Sequence, residues 1–146
     1  MTEPYLEPGD RLHLEEMAYE IRRLTIEMVA YAQWGHMAGA TSMAELLAVL
    51  YFRTARLDPA TPDRPERDRI VLSKAHTSPG LYAALALRGF FPVEQLYTYC
   101  DIDSILEGHS DMTRTPGLEN SGGTGLPSLI SLRSMVPESS KRAPPL

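Results

Sequence analysis

From Asp10 onward, apolar and polar positions follow a helical period. Leu14, Met17, Ala18, Ile21, Leu24, Thr25, Met28 and Ala32 recur at three- and four-residue steps, along one face of an α-helix. Glu15, Glu16, Glu20, Arg22, Arg23 and Glu27 take mostly the other faces. Asp10 is placed to cap the start and Gly35 to stop the helix. Residues 35–41 read as a short loop. Ser42 and Glu45 then match a capping box, in which each side chain satisfies a free backbone N–H. Met43, Leu46, Leu47, Leu50 and Tyr51 form the apolar stripe of a second helix. It should end by Leu57, because the residue before Pro59 is disfavoured in helical geometry.

Pro59, Pro62 and Pro65 stiffen an exposed connector. Residues 69–72, Arg-Ile-Val-Leu, are the one good strand candidate, short and apolar as a strand buried on both faces would be. Residues 73–77 form the turn leaving it. Ser78 and Pro79 are an N-cap and N1 pair for a third helix, running to Arg88 and stopping at Gly89. A shorter helix is expected from Pro92 through Tyr99. Residues 108–125 are dominated by Gly, Ser, Thr and Pro, and a loop of that length is commonly functional. Residues 127–146 show no amphipathic face and are expected to be a disordered tail. The domain is thus expected at 11–126, behind a loose lead-in at 1–10.

Composition narrows the class. The chain has 146 residues, 14 Lys+Arg against 19 Asp+Glu, and a formal charge of −5. That balance argues against an electrostatic grip on nucleic acid or an anionic membrane. A chain of this size buries about two-thirds of its unfolded surface, enough for one real core. The single cysteine, Cys100, excludes an internal disulfide and fits a reducing cytosol; it reads most simply as a small buried residue. No apolar run approaches the ~20 residues of a membrane span, and the acidic first ten residues lack the grammar of a signal peptide. A cytoplasmic setting is expected.

Three of the four histidines sit in loops or at element ends. His36 follows Gly35, His76 lies just past the strand, and His109 follows Gly108. Glycine beside a polar side chain lets a ligand approach the backbone, and loops after strand ends are where α/β proteins bind ligands. Imidazole can donate, accept or move a proton near neutral pH. Taken singly, a loop histidine is more often solvated than catalytic. The wide spacing of the three provides no local metal motif. His13 reads as a surface residue.

Five segments in order resemble the N-terminal, thiamine diphosphate-binding part of transketolase, especially its split two-subunit form. They are 35–46, opening on Gly35-His36; 67–76, containing Ser73-Lys74-Ala75-His76; 81–91; 106–112, with Gly108-His109-Ser110-Asp111; and 115–121, opening on Thr115-Pro116-Gly117. The resemblance implies an α/β fold with a parallel sheet, of which this piece should be mostly helical, with one or two strands and a long glycine-rich loop. It implies two-carbon ketol transfer between sugar phosphates, with thiamine diphosphate and Mg²⁺. His36 resembles the histidine lining the substrate channel, and His76 the one between the cofactor diphosphate and the substrate. His109 resembles the one contacting the donor sugar's first hydroxyl. Gly123 matches a glycine of the loop whose backbone approaches the cofactor. The implied partners are a C-terminal transketolase subunit or a second copy of the chain.

The departures from the family pattern are equally specific. The stretch 119–126 lacks the leucine and glutamine expected between the loop's glycines. The family's metal-binding Gly-Asp-Gly is absent, as is the pyrimidine-binding domain. The reading is therefore of a truncated paralogue or frameshifted frame, inactive alone, its strand deprived of neighbours. Two alternatives stay open: a non-catalytic helical interaction module derived from the family, and a fragment like the first component of pyruvate dehydrogenase.

Overall fold

A computed structural model describes residues 6–120, Gly122 and the backbone of 129–132. Helix α1 (Pro8–Ala32) runs the length of the molecule. It buries Leu14, Ala18, Ile21, Leu24, Thr25, Met28 and Val29, the stripe its period predicts, with Met17 and Ala32 at the margin. The buried Thr25 hydroxyl is satisfied within the helix, donating to the Ile21 carbonyl at 2.6 Å. The helix starts earlier than expected. Glu7 holds the N-cap position, and Asp10 instead pairs with Arg53 at 3.2 Å. It also stops earlier, on Gln33 in the left-handed region (φ 56°).

The expected loop at 35–41 holds a short helix, α2 (Met37–Thr41). Helix α3 (Ala44–Val49) follows and widens into a π-helical turn, Leu50–Thr54. The capping box does not form. Ser42 Oγ donates to the Gly39 carbonyl at 2.9 Å, and Glu45 is taken by Arg22 across on α1. Ser42 is turned back onto the preceding helical turn, a local contact, and only Glu45 is drawn off by a distant partner.

Strand β1 (Arg69–Leu72) forms over the expected residues but is buried on one face only, through Ile70 and Leu72, with Arg69 and Val71 half-buried; it leads through a 3₁₀ turn, Ala75–Thr77, into helix α4 (Ser78–Arg88). Thr77, and not Ser78, occupies the N-cap of α4; Gly89 closes it in the left-handed conformation (φ 94°). From Ser78 to Ala86 every residue of α4 is buried, which makes it the central element. Ile21 and Met28 of α1, Leu47 of α3, Tyr51, and Tyr82 and Leu85 of α4 are fully buried in one cluster. Each such side chain contributes about 1.5–3 kcal/mol by leaving water. The segment expected as a fourth α-helix is a 3₁₀ helix, Val93–Thr98.

Two further expectations change. Cys100 is exposed, at a turn where its φ is +63°, not buried. Strand β1 is not alone: β2 (Leu129–Leu132) pairs with it antiparallel, Arg69 opposite Leu132 and Leu72 opposite Leu129. Four residues of the expected tail thus have regular structure, and the pairing differs from the parallel sheet implied by the resemblance. The short run at 129–132 finds its backbone partners on β1, a long-range neighbour that a search for amphipathic faces misses. The remaining tail lies outside the described residues.

The loop at 108–120 is tied down at its far end by charge. Glu119, with a side chain 8% exposed, accepts from Arg67 (6% exposed) and, at 2.9 Å, from Arg69. The neighbouring Asp68 accepts from the Arg56 backbone N–H at 2.8 Å and from its guanidinium at 3.1 Å. The Asp68 pairing ties the chain just after the π-helical turn to the start of β1, and the Glu119 pairing ties the end of the loop to the same place.

Candidate functional site

The three loop histidines come together. The ring centres of His36 and His76 are 4.5 Å apart, those of His76 and His109 4.8 Å, each pair edge to face. All three are exposed, so they form an open row of imidazoles on one face of the molecule.

Small residues bring the first two together. His36 stands at the N-cap of α2, and α2 lies directly on the start of α4. A Cβ on Gly80 would sit 3.0 Å from the Ala40 carbonyl oxygen, tighter than ordinary contact, so glycine lets α2 lie this close and a side chain would press it outward. On the other side of α2, Gly39 faces the 3₁₀ turn that carries His76. There a Cβ would lie 3.0 Å from Thr77 Cγ2 and 3.2 Å from Lys74 Nζ. The Lys74 ammonium is thereby held beside α2, next to the imidazole row.

Hydroxyl groups bring in the third. Ser78 Oγ donates to the Gly108 carbonyl at 2.7 Å, and the Tyr82 hydroxyl donates to the Glu107 carbonyl at 2.8 Å. Two residues of α4 thus grip the backbone just before His109. Burial pushes the Tyr82 phenol well above its ordinary value, so it stays a neutral donor. Beyond His109, Ser110 is buried and its carbonyl accepts from the Gly122 N–H at 2.6 Å. Gly123, the fourth expected site residue, lies outside the described residues.

Sequence reasoning names the histidines but misses what aligns them. The pattern marks Ser78 only as a helix cap, Tyr82 and Lys74 only as parts of the resembling segments, and Gly80 not at all. The available signal is the Ser-Pro-Gly opening of a helix without polar residues, where small side chains mark a close approach. Among the described residues, no group of three or more His, Cys, Asp or Glu side chains could hold a metal ion. No helix of the described residues is long and apolar enough to cross a membrane.

Residues 14–136 match the family described as transketolase, thiamine diphosphate binding domain, and the chain belongs to that family. The match runs past residue 126, the expected end of the domain. Among curated relatives, the 6-deoxy-6-sulfo-D-fructose transketolase subunit SqwG of Clostridium sp. (strain MSTE9) is 46% identical over 114 residues, covering 78% of this chain and 42% of that protein. An apulose-4-phosphate transketolase subunit of Actinobacillus succinogenes is 42% identical over 123 residues, covering 82% and 45%. The chain therefore spans less than half the length of these relatives. Transketolase from Leishmania mexicana superposes with a TM-score of 0.72 at 31% identity, covering 75% of this chain and 17% of that one. A Pichia stipitis transketolase in complex with sedoheptulose 7-phosphate gives a TM-score of 0.70 at 33% identity, covering 75% and 16%.

Proposed function

We propose that this chain contributes the diphosphate-side half of a transketolase site, for two-carbon ketol transfer between sugar phosphates. The observation that carries the reading is the convergence of His36, His76 and His109 into one exposed row. Imidazoles at this spacing suit a ligand that presents hydroxyls and anionic oxygens in succession, since each ring can donate or accept. Thiamine diphosphate and a sugar phosphate are such ligands, and the row with the Lys74 ammonium beside it fits them. His76, at the centre, would lie between the diphosphate and the sugar. His36 and His109, on either side, would hold hydroxyls and move protons at their ring nitrogens. When bound, thiamine diphosphate supplies stabilisation of the negative charge on the transferred two-carbon unit.

The described residues do not fit a divalent cation. The Mg²⁺ that accompanies a diphosphate is assigned to ligands elsewhere, outside these residues or on another chain. A partner carrying the pyrimidine-binding half completes the site in this reading. Leu12, Tyr19 and Ile26, exposed at seven-residue steps along one side of α1 with charged residues between them, support such a partner. The lone cysteine supports a cytoplasmic setting.

Calorimetric titration of the full chain with thiamine diphosphate and Mg²⁺ tests the reading. Saturable heat that depends on Mg²⁺ and is lost in His76→Ala is expected. A folded chain, by circular dichroism, that gives no heat would sink the cofactor assignment.

A further inference from the structure

The imidazole row has a side wall that neither the resemblance nor the family match assigns. Trp34, the chain's single tryptophan, lies at the end of α1 and is 54% exposed. Its ring stands edge to face with His36, centres 6.4 Å apart, and tilted against Tyr99 at the same distance. That exposure leaves a large apolar ring face open beside the row.

The indole is also fixed. It lies over Gly108 so closely that a Cβ there would come 2.5 Å from Trp34 Cζ3 and 2.7 Å from Cη2. Gly108 immediately precedes His109, and its carbonyl is gripped by Ser78. One ring therefore touches the backbone that carries His109 and stands at right angles to the His36 ring. It spans the row from the side, with much of its surface free. Ligand sites commonly pair a few polar groups that fix orientation with an aromatic wall that takes the carbon skeleton.

We propose that Trp34 is a specificity-determining residue of this site: its indole covers the C–H face of a sugar chain whose hydroxyls the imidazoles hold. The proposal rests on the reading of the row as a sugar-phosphate site and adds the selection of a carbon skeleton over a bare anion. A diphosphate without a skeleton would meet the imidazoles and leave the indole alone.

The test is proton–nitrogen correlation spectroscopy of the full chain, following the imidazole signals and the single indole N–H. Fructose 6-phosphate and inorganic pyrophosphate are the two probes. Fructose 6-phosphate should shift both imidazole and indole signals, and pyrophosphate the imidazole signals alone. Trp34→Ala should weaken fructose 6-phosphate by about three- to tenfold, the range of one aromatic contact, and leave pyrophosphate within about twofold. Trp34→Phe, which keeps a ring over Gly108, should restore most of the sugar affinity; thermal melts of both variants separate binding from folding. Imidazole shifts without an indole shift would overturn the proposal and leave the sugar-phosphate reading intact. Equal weakening of both probes in Trp34→Ala would make the residue structural and overturn it too. Silence of every imidazole with both probes would overturn the proposal and the reading together.

Discussion

Gly80→Ala is the substitution that most directly probes how the site is assembled. The new methyl would lie 3.0 Å from the Ala40 carbonyl oxygen and 3.4 Å from both the Ala40 carbonyl carbon and Leu47 Cδ1. A side chain could rotate aside, but a backbone carbonyl inside α2 moves only if α2 moves. Overpacking of this kind costs about 1–3 kcal/mol. Alanine in place of a helical glycine returns about 0.5–1 kcal/mol. The net loss is about 0–2.5 kcal/mol, centred a little above 1, and near this chain length each kilocalorie lowers Tm by about 2–4 °C. Gly9→Ala is the matched control, since Gly9 lies in the first turn of α1 with nothing within 4 Å of its Cβ. It should hold Tm or raise it. Beyond stability, the α2 shift should carry His36 away from His76 and weaken the cross-peaks between their ring protons in nuclear Overhauser spectra. If Gly80→Ala melts with Gly9→Ala and keeps those cross-peaks, the claim that a missing methyl sets the imidazole spacing is wrong.

Two further expectations concern charge. Glu119→Gln leaves the Arg67 guanidinium buried with its full charge and no carboxylate, and breaking a buried pair from one side costs about 3–5 kcal/mol. Urea unfolding measures this, and a loss below about 1 kcal/mol would mean that Arg67 finds water. The second is an acid-limb effect on α1. Arg23, with the Tyr97 hydroxyl donating at 3.1 Å, holds the Glu27 carboxyl below its ordinary value of 4.5, and Arg22 does the same to Glu45. A depressed carboxyl contributes stability above its unfolded pKa and loses it as pH falls through the folded one. Glu27→Gln should therefore melt slightly below the unmodified chain at about pH 7, with the gap narrowing once pH falls below the ordinary carboxylate value and closing below the depressed one. A gap that persists at acid pH would show that the deficit is packing and not charge.

Where structure follows from neighbours in sequence, the pattern of residues is enough. The Leu14-to-Met28 stripe, the β-branched run of β1, and the Pro79-to-Gly89 frame of α4 each carry their own instruction. The elements that escape such reading depend on distant partners. Helix α2 is five residues long and stands because Gly39 and Ala40 are held against α4 and the Lys74 turn. The Ser42–Glu45 box is correct as a local motif, yet Arg22 competes for the carboxylate from a helix twenty-three positions earlier. Strand β2 finds its partner in β1. The histidines illustrate both sides. Their identity is legible through motif resemblance, whereas their contact depends on Gly80, Ser78 and Tyr82, none of which is a site residue by chemistry.

The imidazole row joins positions 40 and 33 residues apart along the chain. It is therefore among the high-contact-order features of the fold, absent until α2, α4 and the 107–109 loop have all docked. Closing such long loops is slow relative to forming any single helix. A ligand that spans the row binds only the fully docked chain, and so stabilises it in proportion to the logarithm of ligand concentration over Kd. Ligand then acts as a clasp on the final step of folding. In a cell, the abundance of this protein would follow the supply of its ligand as well as the intrinsic strength of its core.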